Sequence, residues 1–497
     1  MKQFILLVLI ALASSGSQDA IVYYGRGLAK STKGDQDGAI ADFSKAIELN
    51  PKLAEAYLNR GLAKSTKGDQ DGAIADESQA IELNPKLAEA YLNRGGAKQS
   101  KGDIEGAIAD ENQAIELNPK LAEAYFNRGL AKATKGDLEE AIADFNQAIE
   151  LNPKLAAAYL DRGLAKQTKG DLEGAIVDDN QAIELNPKFA AAYLNRGQVK
   201  QTKGDLEGAI ADDNQAIGLN PKLADAYYGR GIAKQTKGDF DSAIADFDEA
   251  IELNPKLVRG YVNRGFSKRK KGELKGAFAD FNEAIWLDPK LAVAYLNRGF
   301  VKQTNGDLEG AIADLNQAIK LDPKSVEAYV NRGLAKAKKG DLEGAIADLD
   351  QAIQLNPELA DAYLDRGFVK QTKGDFEGAI ADSNQAIGIS PKFAEAYGNR
   401  GLAKQSKGDL DGAIADFDQA IELNAKLTQA YENRGLAKQR KGDLDGAIAD
   451  FSQAIELDPR LADAYQNRGL AKSSKGDSQG AADDYERAKK LKPKPRD

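Results

Sequence analysis

Asparagine returns along this chain in a fixed 34-residue register: Asn59, Asn93, Asn127, Asn195, Asn263, Asn297, Asn331, Asn399, Asn433 and Asn467. Asp161 and Asp365 fill two further places in that register, and Gly25 and Gly229 leave two without a side chain. A carboxamide donates and accepts at once, which is what an extended peptide backbone needs every few ångströms. Three charged residues keep the same register in all fourteen of its turns: Arg from Arg26 to Arg468, Lys from Lys30 to Lys472, and Asp from Asp42 to Asp484. Arg and Lys four apart share one helix face, so the simplest account is a cation–carboxylate network repeated between neighbouring helices. A charged ladder offered to a ligand is the alternative. The chain has no cysteine and no histidine. That removes thiol nucleophiles, imidazole bases, conventional zinc sites and disulfides. The carboxylates that remain sit at fixed repeat positions. No catalytic residue, metal ligand or cofactor is expected.

The element that must position these groups is the stretch Ala54 to Leu87, which recurs fourteen times without insertion or deletion. Copies start at residue 20 and every 34 residues to 462, and the last closes at Pro495, so the array covers 476 of 497 residues. Such self-similarity outranks local propensity. Each copy reads as two helices. Glu55 to Thr66 places Tyr57, Leu58, Leu62 and Ala63 at helical spacing, with Gly61 leaving room for a second helix. Gly68 allows a left-handed ending and Asp69 is a good N-cap. The second helix, about Gln70 to Leu83, carries Ala73, Ile74, Ala80, Ile81 and Leu83 inward, and Asn84-Pro85 ends it. One hairpin cannot bury its apolar faces alone, but stacked copies can.

This hairpin resembles the tetratricopeptide repeat family. Counting Ala54 as position 1, Tyr57, Gly61, Ala73, Ala80 and Pro85 match the family's positions 4, 8, 20, 27 and 32. Glu77 at position 24 departs from the expected aromatic, and Arg60 and Lys64 replace the usual apolar residues at 7 and 11. The resemblance implies an all-α fold, a right-handed α-solenoid (superhelix) of fourteen tandem helix-turn-helix units. It also implies an inner wall lined by the first helix of each pair, with positions 2, 5, 6, 9, 12 and 13 facing inward. The asparagines at position 6 would then resemble the ladder inside the long superhelix of O-linked N-acetylglucosamine transferases. Bracing of neighbouring helices is the competing role for them. The carboxylate clamp of chaperone-binding relatives does not fit, because its Lys at position 5 and Asn at position 9 are mostly Leu or other uncharged residues here.

Position 24 is Phe43, Phe145, Phe247, Phe281, Phe417 and Phe451 in some copies, but Glu77, Glu111, Asp179, Asp213 and Ser383 in others. An unpaired carboxylate in a core costs several kcal/mol, so these acids are expected to pair with Lys64, Lys98, Lys166 and Lys200 or to turn outward. Repeats 2, 3, 5 and 6 are accordingly expected to be the less stable stretch. Repeat 8, residues 258–291, is the atypical internal copy. Its Arg259, Arg269 and Lys270 fall at wall-facing positions and form a candidate patch for an acidic partner, or else a solvated basic face. In the last copy Ala482 and Lys489 replace the Ile of earlier copies, as a terminal cap requires.

Ahead of the array, Lys2, an apolar run from Phe4 to Ala13 and the small residues Ser14 to Ser17 read as a secretory signal peptide over residues 1–16, with a short leader at 17–19. The run is ten residues, against roughly 20 needed to span a bilayer, so no stable membrane span is expected after its removal. Periplasm, cell surface or medium is the implied location, with retention by an uncleaved segment the alternative. A net charge of −9 argues against nucleic acid and against the RNA-binding pentatricopeptide repeats. No linker interrupts the array, so one elongated body is expected. The resulting expectation is an exported, non-enzymatic scaffold whose partners are other proteins or peptides, with no small-molecule substrate. The alternatives are an assembly component of a cell-envelope or cell-surface complex, and a regulatory subunit of an enzyme encoded elsewhere.

Overall fold

The structure is a computed structural model that describes residues 15–491. The signal-peptide reading falls mainly on residues 1–14, and the basic tail at Lys492, Lys494 and Arg496 on 492–497. Both lie outside the described residues.

The described residues form 28 helices and no strand. They come in pairs, such as Ala54–Thr66 with Gln70–Leu83 and Ala394–Lys407 with Leu410–Leu423. The first helix begins ahead of its repeat, at Ser15. Turn chemistry sets the boundaries. Gly68 takes φ +88°, a conformation that suits glycine alone. The next residue, Asp69, accepts a hydrogen bond from the Gly72 amide at 2.9 Å, capping the second helix. At the far end Asn84 Oδ1 accepts from the Lys86 amide at 3.2 Å and turns the chain into the next repeat.

The chain divides into two units, one ending at Pro255 and the other starting at Lys256, where the uninterrupted sequence had suggested one body. The division falls beside repeat 8, whose first helix is Val258–Lys270. Within each unit a first helix packs on its own second helix and on the second helix of the preceding repeat. First helices of successive repeats also touch, whereas among the described residues successive second helices do not. Within each unit the stack therefore curves with its first helices on the inside.

The core is built from small residues. Ala56, Ala63, Ala73 and Ala80 of repeat 2 are buried, and their counterparts recur in the following copies. Gly61 brings the two helices so close that a Cβ there would sit 2.6 Å from Glu77 Oε1. Ala482 and Lys489 are exposed in the last copy, where Ile455 of the copy before is buried.

Candidate polypeptide-binding site

Every repeat carries the same electrostatic rivet. Arg60 Nε donates to Asp76 Oδ2 at 2.8 Å and Nη2 to Oδ1 at 2.7 Å. Lys64 Nζ reaches Asp76 Oδ2 at 2.7 Å. Arg60 Nη1 donates to Ser44 Oγ of the preceding repeat at 3.1 Å, and the guanidinium lies 5.5 Å from the Tyr57 ring centre. The arrangement recurs from Arg26–Asp42–Lys30 to Arg468–Asp484–Lys472. Asp76 is buried while both cations are half-buried. A bidentate guanidinium–carboxylate pair of this kind fixes geometry as well as charge. These residues hold the hairpin together, and the network expected from the sequence is present.

One consequence overturns an expectation. The lysines are engaged by position 23, so they do not neutralise the acids at position 24. Glu77 is 0% exposed and Glu111, Asp179 and Asp213 are also buried. Burial, the largest influence, pushes Glu77 and Glu111 up to about 9, Asp213 to about 8 and Asp179 to about 7. At least the two glutamic acids therefore stand neutral near pH 7, so the desolvation is met by protonation. Their hydrogen-bond partners come from the asparagine ladder. Asn93 Nδ2 donates to Glu77 Oε1 and Asn127 Nδ2 to Glu111 Oε1, both at 3.3 Å. Asn195 Nδ2 donates to both Asp179 oxygens at 2.9 Å. Asp213 faces Gly229, which has no side-chain carboxamide to offer, and its Oδ1 is unpartnered.

The ladder thus serves more than one end. In the first unit Asn93, Asn127 and Asn195 cover buried acids, and Asn59 Nδ2 donates to Tyr24 Oη at 3.1 Å and to the Glu55 carbonyl at 2.7 Å. In the second unit Asn263, Asn297 and Asn331 donate to carbonyls four residues back, at 2.9, 2.8 and 2.8 Å. Asn399 and Asn433, following Ser383 and Phe417, instead line a concave pocket of about 510 Å³. Asn467 is half-buried on the last first helix. The substituted place Asp365 joins the same pocket, and burial raises it to about 6.

That pocket is built from the first helices of repeats 11, 12 and 13, Ala360–Lys373, Ala394–Lys407 and Thr428–Arg440. Its floor is Leu364, Phe368, Leu402 and Leu427, and its polar rim includes Glu395, Gln429 and Glu432. Gly398 makes the hollow. Position 5 carries a leucine, valine or aromatic side chain in every copy before this one, and a Cβ at Gly398 would meet only Leu427 Cδ2, at 4.0 Å. Sequence reasoning singled out the asparagines but passed over Gly398 and Glu432. The available signal was that position 5 holds its one glycine at Gly398 and its one carboxylate at Glu432.

The basic patch of repeat 8 takes a different form from the one expected. The Arg269 guanidinium sits over aromatic rings, 4.4 Å from the Phe300 centre and 5.0 Å from that of Phe266, and burial lowers its pKa. Lys270 Nζ stands 5.5 Å from the Phe266 ring centre, and Arg259 is exposed. Arg269 borders a second hollow of about 300 Å³ with Phe300, Glu327, Val330, Asn331 and Asp361. Among the described residues there is no cluster able to hold a metal ion, and no helix is long and apolar enough to cross a membrane.

Comparison with known proteins bears on the repeat itself. The family profile described as TPR repeat matches residues 27–68, 97–136, 168–204, 304–340, 334–374 and 440–476. Profiles described as tetratricopeptide repeat match 122–155, 224–257 and 394–427, and 54–87, 190–223, 360–393 and 462–495. No curated protein matches the chain significantly. Among solved structures, MamA is 34% identical over 33% of this chain and 95% of its own, with a TM-score of 0.31. YrrB, described as a TPR protein with an unusual peptide-binding site, is 25% identical over 37% of this chain and 95% of its own, TM-score 0.32. A tetratricopeptide repeat protein from Parabacteroides merdae is 21% identical over 50% of this chain and 98% of its own, TM-score 0.42. With the matches taken together spanning well over half of its length, the chain belongs to the tetratricopeptide repeat family.

Proposed function

We propose that this chain is an exported, non-enzymatic scaffold that holds segments of partner proteins against the first-helix wall of its repeats. One observation carries the reading: on the inner side of the second unit, three first helices form a hollow that combines an apolar floor with Asn399 and Asn433. Those two amides follow Ser383 and Phe417, so no buried acid of a preceding repeat claims them. Amides beside apolar surface suit backbone capture with loose side-chain preference. Each neutral hydrogen bond contributes about 0.5–1.5 kcal/mol net, so several must act together. Retention of function in repeats whose amides are used internally would fall to the apolar wall positions, such as exposed Leu62. Export rests on the charge, apolar run and small residues at the start of the sequence.

The test is affinity capture from the protein's own source with wild type and Gly398→Leu. Leucine restores the residue that the preceding copy carries at this place, Leu364, and fills the hollow, and in a helix interior it replaces a residue that is unfavourable by about 1 kcal/mol. The variant should fold at least as well as wild type and lose the retained partners. An unchanged set of partners would overturn the groove reading.

A further inference from the structure

We propose that the pocket of repeats 11–13 selects a partner segment that presents a lysine or arginine next to an apolar residue. The inference rests on the scaffold reading above and names the chemistry of its partner.

Three carboxylates, Asp365, Glu395 and Glu432, line the hollow, and no lysine or arginine does. The arginine and lysine on the first helices nearest the hollow are engaged in the hairpin rivet. Arg366 and Lys370 hold Asp382, Arg400 and Lys404 hold Asp416, and Arg434 and Lys438 hold Asp450. The charges that do reach Asp365 and Glu432 are themselves acidic, Asp361 and Asp463 respectively. This surplus of negative charge sits over a hydrophobic floor on which Phe368 is 56% exposed. A cation entering the rim would meet three acceptors, while its apolar neighbour covers Phe368 and Leu402. An acidic segment would meet like charge in a partly desolvated space, and a purely apolar one would bury carboxylates without a partner. Complementarity therefore comes from both attraction and exclusion.

Three labelled peptides of equal length, alternating Lys–Leu, Ser–Leu and Glu–Leu, would be titrated by fluorescence anisotropy against the full chain. The Lys–Leu peptide should bind about tenfold or more tighter than Ser–Leu, and added salt should shrink the difference. That preference should vanish in Asp365→Asn/Glu432→Gln. All peptide binding should be lost in Gly398→Leu, with circular dichroism confirming that both variants fold. Equal or tighter binding of Ser–Leu or Glu–Leu, still abolished by Gly398→Leu, would overturn the cation preference and leave the groove reading standing. Absence of binding for all three would overturn the pocket as a peptide site, and the capture experiment would then decide the scaffold reading separately.

Discussion

Replacing Glu77 by phenylalanine should stabilise the first unit and flatten its dependence on pH. The fold already holds the larger side chain elsewhere: Phe145 occupies the same place in repeat 4 at 0% exposure, with Gly129 opposite it as Gly61 is opposite Glu77. Glu77 has an unfolded reference of 4.5 and a folded value pushed up to about 9 by burial, partly opposed by the Asn93 hydrogen bond. Between those values the folded chain keeps a proton that the unfolded chain releases. Rising pH therefore favours unfolding. The stability is fully present below about 4.5 and lost progressively up to about 9, at roughly 1.4 kcal/mol per pH unit. At pH of about 7.5 the accumulated penalty is on the order of 4 kcal/mol. Against it stand the lost Asn93 partner, about 1–3 kcal/mol, and tighter packing of a larger ring. The net expectation for Glu77→Phe is a gain of about 1–3 kcal/mol near pH 7.5, shrinking towards zero or reversing near pH 5. Trp286 lies in the second unit, so fluorescence would miss the change. Urea unfolding followed by circular dichroism, with hydrogen exchange resolved over residues 54–121, would read it. A variant less stable at pH 7.5, or one with the wild-type pH slope, would refute the buried neutral acid.

Hydrogen exchange corrected for intrinsic rates should show faster opening in repeats 2, 3, 5 and 6 than in repeats 12 and 13, with the contrast growing from pH 6 to pH 8. Asp314→Ala leaves Arg298 and Lys302 without their shared carboxylate and should cost about 2–4 kcal/mol in thermal unfolding. Gly129→Ala places a Cβ 2.7 Å from Phe145 Cε1 and should cost about 1–3 kcal/mol. Gly68→Ala forces alanine to φ +88° and should cost about 1 kcal/mol in the same assay.

Helix pairing and turn positions were legible because period, Gly68, Asp69 and Asn84 act locally. Arg60, Lys64 and Asp76 were legible as a network because identical register in every copy favours a structural role over a ligand site. The fate of Glu77 was not. Its neighbour Lys64 is nearer in pattern, but the fold commits that lysine to Asp76 and turns Asn93 of the following repeat onto Glu77. Asparagine also follows Phe and Leu copies, so sequence alone could not distinguish bracing amides from those left for the wall. The pocket depends on a side chain that is missing at Gly398, and absence is a weak signal in a pattern read for recurrence.

Photo-crosslinking tests the central claim most directly. A crosslinkable amino acid placed at Leu402, on the pocket floor, should join captured partner chains. The same group at Ala415, exposed on the second helix of that repeat, should not. Crosslinks from Ala415 with none from Leu402 would place the partners on the outer helices and contradict the account.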